Sequence, residues 1–310
     1  MPRDIPKRFT DEASAREHLE AVQWPTGPVC PHCQAEGRSS RIAGGRKGLL
    51  FCNACRKQYS VTVGTVFERS KIPLHTWLYA NHLLCSSKKG ISSQQLSRML
   101  GVTVKTAWFM AHRIRETWVP APKSDPIGGE GQIVEADETE LSPSRKSRPR
   151  ARAKNLKFVS LVERGGRVRS RKLTAAKGEI GREIRHALNT EINRASVLHT
   201  DGGSPYKTAW PVERHESVDH NKMFGRIGDD GVKINTNSAE GYFSIFKRGL
   251  VGVYQHMSEQ HLHRYLAEFD FRMNYRVKLG YSDDMRADVA LKGIRGKRLV
   301  YASADKAGHA

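Results

Sequence analysis

The segment Gln132-Ile133-Val134-Glu135-Ala136-Asp137 decides how this chain is read. Its apolar β-formers predict a strand that closes on a carboxylate. Ala195-Ser196-Val197-Leu198-His199-Thr200-Asp201 repeats the pattern 64 residues later. Between the two, the pattern predicts strands at 158–163 and 167–173, joined by the turn Gly165-Gly166, and a helix at 178–192. A helical tract at 237–274 follows. Strand, hairpin, helix, strand, helix predicts an α/β core rather than a bundle. A strand-end aspartate projects at the sheet edge, where active sites of open α/β sheets gather.

Glu240 lies 39 residues beyond Asp201, at the start of the helical tract, in Asn237-Ser238-Ala239-Glu240-Gly241-Tyr242-Phe243. Two strand-end aspartates and a helix-borne glutamate can hold a pair of divalent metals. Such a pair clamps the attacking and leaving oxygens of an in-line phosphoryl transfer. Two points stay open on spacing alone. Asn237-Ser238-Ala239-Glu240 also fits a capping box, with Asn237 at the N-cap and Glu240 reaching back from N3. Glu135 shares strand parity with Asp137, and Glu138 and Glu140 lie just beyond. Lys247 is two helical turns from Glu240, on nearly the same face, where a cation can touch a scissile phosphate or simply be solvated. His199 shares the face of Asp201 and reads as a satisfied neighbour rather than a ligand.

The charge fits a polyanionic substrate. The chain has 310 residues and a net charge of +20, with 38% hydrophobic residues, enough for two or three domains with real cores. Nucleic acid is the first candidate partner, because Lys and Arg release counterions from phosphates. The sequence contains neither an apolar stretch of membrane-spanning length nor an N-terminal apolar signal region, which predicts an intracellular, nucleoid-associated protein without membrane contact. The segment 145–157 carries seven basic residues and no acid. Its Arg145, Arg148 and Arg150 are expected to hold phosphate backbone without reading sequence.

The reducing interior of a cell gives the five cysteines a purpose other than disulfides. Cys30-Pro-His-Cys33 and Cys52-Asn-Ala-Cys55 are separated by eighteen residues, the spacing of a four-thiolate structural zinc site. His32 lies within the first pair and could compete as a ligand, although four cysteines already close the site. Cys85 reads as buried filler. A short helix at 12–22 precedes the pairs. Beyond them, Ile91, Leu96, Leu100 and Val102 outline a short amphipathic helix that turns at Gly101. Thr103 then caps a second helix carrying Lys105, His112, Arg113 and Arg115. The pair looks like a helix-turn-helix, with Lys105 and Arg113 as candidate DNA contacts. The expected division is a zinc ribbon at 1–70, a helical DNA-binding segment at 71–122, a catalytic domain at 123–284 and a basic tail at 285–310.

These residues together resemble bacterial insertion-sequence DDE transposases, in the ISXO-like branch that carries an N-terminal zinc ribbon. The likeness covers nearly the whole chain. It runs through the two cysteine pairs, Tyr59-Ser-Val-Thr-Val-Gly-Thr-Val-Phe67 and Leu74-His-Thr-Trp77. It continues in Val134-Glu-Ala-Asp-Glu-Thr139, His199-Thr-Asp-Gly202, Asn235-Thr-Asn-Ser-Ala-Glu-Gly-Tyr-Phe243, Phe246-Lys-Arg-Gly249 and the stretch from His261 to Asn274. The resemblance implies a ribonuclease H-like fold. It implies Asp137, Asp201 and Glu240 as the triad, with Lys247 as the accompanying basic residue, and Mg2+ (or Mn2+) as a pair of ions per site. It also implies cleavage of terminal inverted repeats, joining to target DNA, and at least a dimer on DNA. The rivals are a non-catalytic DNA-binding regulator with the same N-terminal readers, and a structure-specific nuclease with the same core.

Overall fold

The paired cysteines sit around a small antiparallel sheet at the start of the first of two units. These units are Met1–Trp118 together with Tyr281–Ala310, and Val119–Gly280. The structure is a computed structural model and describes residues 5–44, 47–121, 124–141, 156–174, 179–207, 212–219, 222–297 and 299. Arg145, Arg148 and Arg150, with most of their basic loop, lie outside the described residues.

In the first unit, α1 (Glu12–Gln23) starts at Asp11, whose carboxylate accepts from the Ser14 amide at 2.7 Å. The strands β1 (Ser39–Arg41), β2 (Leu50–Cys52) and β3 (Gln58–Tyr59) follow in that spatial order. Helix α2 (Leu74–Ser86) buries Leu74, Trp77, Leu78 and Leu84, the residues whose spacing announced it, and Cys85 beside them. Next come α3 (Ser93–Leu100) and α4 (Val104–Trp118), the expected helix pair. Ser92 caps α3, and Gly101 ends it in the left-handed conformation, at φ +65°, where a β-carbon is disfavoured. Thr103 Oγ1 accepts from the Thr106 amide at 3.2 Å and caps α4.

The second unit is built on β4 (Ile133–Leu141), β5 (Leu156–Glu163), β6 (Val168–Leu173), β7 (Val197–Thr200) and β8 (Arg214–Ser217), with α5 (Ile180–Glu191) between β6 and β7. Their order across the sheet is β6-β5-β4-β7-β8. The first three run antiparallel, while β7 and β8 lie parallel to β4. A small hairpin, β9 (Arg226–Ile227) and β10 (Lys233–Ile234), leads into α6 (Asn237–Gly249), and α7 (Leu262–Asn274) follows. This is the α/β, ribonuclease H-like architecture expected. Helices cover both faces of the sheet, so β5 is apolar on both sides. Val159 and Leu161 join Ala136, Leu198 and the α5 side chains in one core. Phe158 and Val162 join Phe243, Phe246, Leu266 and Phe269 of α6 and α7 in the other.

Three sequence expectations change here. Strand β4 continues four residues past Asp137, because Glu138–Leu141 keep pairing with β5. The single helical tract is two helices separated by a π-type turn at Leu250–Tyr254, where the glycine-rich Gly249-Leu-Val-Gly252 lacks the propensity to hold a straight helix. The segment from 285 onward is not simply a basic tail. Its first part forms α8 (Asp283–Lys292), which packs on α2. Asn81 donates to the Ala287 carbonyl at 3.0 Å, and Arg286, read as a tail charge, is buried and donates to the Cys85 carbonyl at 2.7 Å.

A polar network crosses the α6–α7 core. Asp270 accepts from the Tyr242 hydroxyl and from the amide and hydroxyl of Ser170, the amide at 2.7 Å. Burial pushes its carboxyl from an ordinary 3.8 up to about 6, against the lowering effect of those hydrogen bonds. A raised carboxyl binds its proton more tightly when folded. The stability that Asp270 contributes is therefore fully present below about 4 and is lost as pH rises through about 6. Urea titrations across this window should show a contribution that falls by on the order of 3 kcal/mol in the unaltered protein and is absent in Asp270→Asn. An unchanged pH profile in the variant would assign the decline to other groups.

Candidate active site

The register of the sheet brings Asp137 and Asp201 together. Glu135 of β4 is paired with His199 of the parallel strand β7. Two residues further along lie Asp137, still in β4, and Asp201, just past the end of β7, and the Asp201 charge is felt at Asp137. Just after β7, Gly202 turns the chain at φ +73°, and the Gly203 amide donates to Asp201 Oδ1 at 2.9 Å. A β-carbon on Gly203 would lie 3.0 Å from that same oxygen, so glycine there leaves the carboxylate its room.

Glu240 comes to the same place on the first turn of α6. Its charge is felt at Asp137. Burial first, then the Asp201 and Glu138 charges, and then that of Glu240, push the Asp137 carboxyl up to about 7. Two half-buried acids, Asp137 and Asp201, thus lie within electrostatic reach of each other, and the exposed Glu240 acts on Asp137 more weakly. Oxygen donors of this kind suit Mg2+ or Mn2+. Among the described residues the three do not gather as tightly as the cysteines below, whose ligand atoms all lie within 4.8 Å of one another. A pair of ions needs ligands spread more widely than one ion does.

Both open points about neighbouring acids now have answers in the geometry. Glu135 is fully buried. Its Oε2 accepts from the Ser238 amide at 2.6 Å and the Ala239 amide at 3.2 Å, and its Oε1 accepts from Arg164 Nε at 2.9 Å. It is thus occupied at the N-terminus of α6, where the helix dipole favours a carboxylate. The capping box is not formed as expected. The N-cap is Thr236, so Asn237 is already helical and Glu240 falls at N4 rather than N3. Glu138 faces the other side of β4 and receives the Tyr206 hydroxyl. Nothing in the sequence pattern distinguished Glu135 as the acid that holds α6. The partner that does so, Arg164, sits in what reads as an ordinary turn.

Lys247 lies exposed on α6, as Glu240 does. The seven-residue step from one to the other corresponds to about 10 Å along the helix. His199 is fully buried. Burial, then the Arg164 cation, push its imidazole down to about 4, so it stays neutral and its Nδ1 accepts from Arg164 Nη2 at 3.3 Å. Its Nε2 has no hydrogen-bond partner among the described residues, so the imidazole is a half-satisfied neighbour rather than the fully satisfied one its position suggested.

The cysteine cluster fits a structural zinc. Cys30 Sγ and Cys55 Sγ are 3.7 Å apart, as are Cys33 Sγ and Cys52 Sγ. A tetrahedron of sulfurs at the usual Zn–S length has edges of about 3.8 Å. His32 is exposed and is not among the clustered ligands.

The two candidate DNA contacts on α4 separate. Lys105 is exposed on the first turn, the part of a recognition helix that meets base edges. Arg113 is turned inward. It is 7% exposed, donates to the Glu68 carbonyl at 3.0 Å and lies over the Trp77 ring. The expectation that it contacts DNA is corrected, since its guanidinium is used in the unit's own packing. His112 and Arg115 are buried too.

Two family models match the chain. Residues 126–274 match the ISXO2-like transposase domain, and residues 10–58 match the transposase zinc-ribbon domain. A curated relative from Halobacterium salinarum, described as an uncharacterized protein in transposable element ISH50, is 26% identical over 290 residues. The alignment covers 88% of this chain and 95% of that one. Among the described residues, no helix is long and apolar enough to cross a membrane.

Proposed function

We propose, from the matches to the ISXO2-like transposase domain and the transposase zinc-ribbon domain, that the chain is an insertion-sequence transposase that cleaves the ends of its DNA element and joins the freed 3′-hydroxyl to target DNA. The observation that supports this reading is that the half-buried Asp137 carboxyl, pushed up to about 7 first by burial, also feels the charges of Asp201, Glu138 and Glu240. Same-sign crowding of this kind is relieved by cations. Asp137, Asp201 and Glu240 would hold two divalent ions, which when bound supply the charge that stabilises attacking and leaving oxygens. Gly203 keeps the Asp201 carboxylate oriented through its amide, and Glu135 keeps α6, and so Glu240, against β4. Lys247 contributes a cation toward the phosphate backbone of the bound strand.

The first unit supplies recognition in this reading, with the zinc ribbon and the α3–α4 pair reading the terminal inverted repeats. Arg145, Arg148 and Arg150 add phosphate contacts that carry no sequence information. Two element ends must be joined, so the working form is a dimer or larger assembly on DNA. The test is incubation of purified protein with labelled end DNA and Mg2+. Nicked ends and joined products are expected. End binding without cleavage in Mg2+ or Mn2+ would favour the regulator, and cleavage of branched DNA without end preference would favour the nuclease.

Lys105 and Arg113 give a separate check. Lys105→Ala should reduce the salt slope of end binding by about 0.9. Arg113→Ala should leave that slope alone and cost about 1–3 kcal/mol of stability, because the Glu68 carbonyl loses its donor. Anisotropy titrations across a range of salt, with urea unfolding beside them, separate the two. A lowered slope for Arg113→Ala would return it to the DNA interface.

A further inference from the structure

We propose that Glu135, Arg164 and His199 are positioning residues whose hydrogen-bonded cluster, two buried side chains and a half-buried guanidinium, sets the spacing of the three carboxylates and thereby the affinity for divalent metal. The inference rests on the assignment of Asp137, Asp201 and Glu240 as the metal ligands. Each of these acids is preceded, two residues earlier, by a member of the cluster or a residue bonded to it: Glu135 before Asp137, His199 before Asp201, and Ser238, which donates to Glu135, before Glu240. On the two strands, a step of two returns to the same face about 7 Å further along. On α6 the cluster grips the first turn, from which Glu240 projects.

The bonds form one connected set. Glu135 accepts from the Ser238 and Ala239 amides, and from the Ser238 hydroxyl at 3.0 Å, which ties β4 to the start of α6. Arg164, on the turn between β5 and β6, donates to Glu135 at 2.9 Å and to His199 Nδ1 at 3.3 Å, which ties both to β7. It also donates to Asn235 Oδ1 at 3.2 Å and the Lys233 carbonyl at 2.9 Å, which fixes the chain entering α6. One carboxylate and one guanidinium therefore connect the elements that carry the three acids.

An apolar residue at 135 could fill the same space. It could not specify the direction from which α6 approaches, because dispersion contacts are not directional and hydrogen bonds are. Nor is a buried ion pair a strong source of stability by itself. Outer partners that orient metal ligands commonly change metal affinity tenfold or more when altered. A positioning role thus predicts a loss of metal affinity in protein that still folds.

The test uses the full chain without DNA, with Mn2+ binding followed by calorimetry and thermal unfolding recorded beside it. Glu135→Gln keeps the shape but replaces one acceptor oxygen with an NH2 group, which faces donors. It should fold and bind Mn2+ about tenfold more weakly. The Mg2+ concentration for half-maximal end cleavage should rise by the same factor, with cleavage largely restored at saturating metal. Arg164→Lys, which keeps the charge and loses the planar fork, should show a smaller shift in the same direction, and it decides the matter if Glu135→Gln does not fold. Mn2+ binding within about twofold of the unaltered protein in the folded variants would overturn the proposal. Asp137→Asn is the control. If it too left Mn2+ binding unchanged, the carboxylate assignment would fall, and the positioning role with it.

Discussion

Asp137→Asn, Asp201→Asn and Glu240→Gln are each expected to abolish strand cleavage and joining while leaving binding of end DNA largely intact. Each change removes a charge needed to hold a divalent ion and keeps nearly the same side-chain volume. Losing transition-state charge stabilisation of several kcal/mol lowers the rate about a thousandfold or more. Lys247→Ala should fall less far, because it contacts phosphate and does not ligate. Glu240→Gln is the most informative of the set. The alternative to a catalytic role was a helix cap, and glutamine caps as glutamate does. The structure has already weakened that alternative, because Glu240 stands at N4 and Glu135 takes the amides of Ser238 and Ala239. Near-normal cleavage by Glu240→Gln in Mg2+ would remove Glu240 from the site. Loss of end binding alongside cleavage in any of the three would instead point to misfolding or to a role in DNA contact.

What was legible in the sequence was whatever depended on local pattern. The apolar runs that close on Asp137 and Asp201, the turn Gly165-Gly166, the period of Leu74, Trp77, Leu78 and Leu84, and the caps at Gly101 and Thr103 all reflect interactions within a few residues. The cysteine spacing was readable for a related reason, since each Cys-x-x-Cys turn presents two thiolates without help from the rest of the fold. The strand order was not readable from such patterns, because the parallel pairing of β4 with β7 joins residues more than sixty positions apart.

The same distinction holds for single residues. Glu135 and Asp137 share a strand and a face, and only the arrival of α6 differentiates them. One meets the helix's amides and the other meets a second aspartate. Arg113 looked like a DNA contact because charge on a helix usually points to water. Its burial over Trp77 depends on how α4 lies against its neighbours. Arg286 was misjudged for the same reason, since the packing of α8 on α2 covers a side chain that composition alone would put in solvent.

Removal of zinc is expected to unfold the N-terminal module and to be felt beyond it. Among the described residues of 29–59, the buried hydrophobic side chains are Cys30, Leu50, Cys52 and Tyr59, so half of this core consists of ligand candidates. Leu50 and Tyr59, with Trp24 edge-on to Tyr59 at 6.0 Å, cannot offset the entropy of ordering three short strands. Structural zinc contributes on the order of 10 kcal/mol in comparable small modules. Purified protein should therefore carry one zinc per chain, and less than about half an equivalent in folded protein would argue against the site. The loss should spread to the C-terminal segment. The Val66 amide donates to the Ile294 carbonyl at 3.1 Å, the Gly296 amide to the Gly64 carbonyl at 2.9 Å, and Arg295 Nε to Gln23 at 2.8 Å. Cys52→Ser, or a chelator, should thus expose the amides of Cys52, Asn53, Val66 and Gly296 to hydrogen exchange together. Amides of β4, β5 and α7 should stay protected, because the second unit has its own two cores. For the same reason a fragment ending at residue 118 should be less stable than the first unit in the full chain, since it lacks α8, and end recognition is best measured on the whole protein. Zinc-free protein that keeps Cys52 and Val66 protected would show that the ribbon folds on its side chains alone and that the cysteines are not its staple.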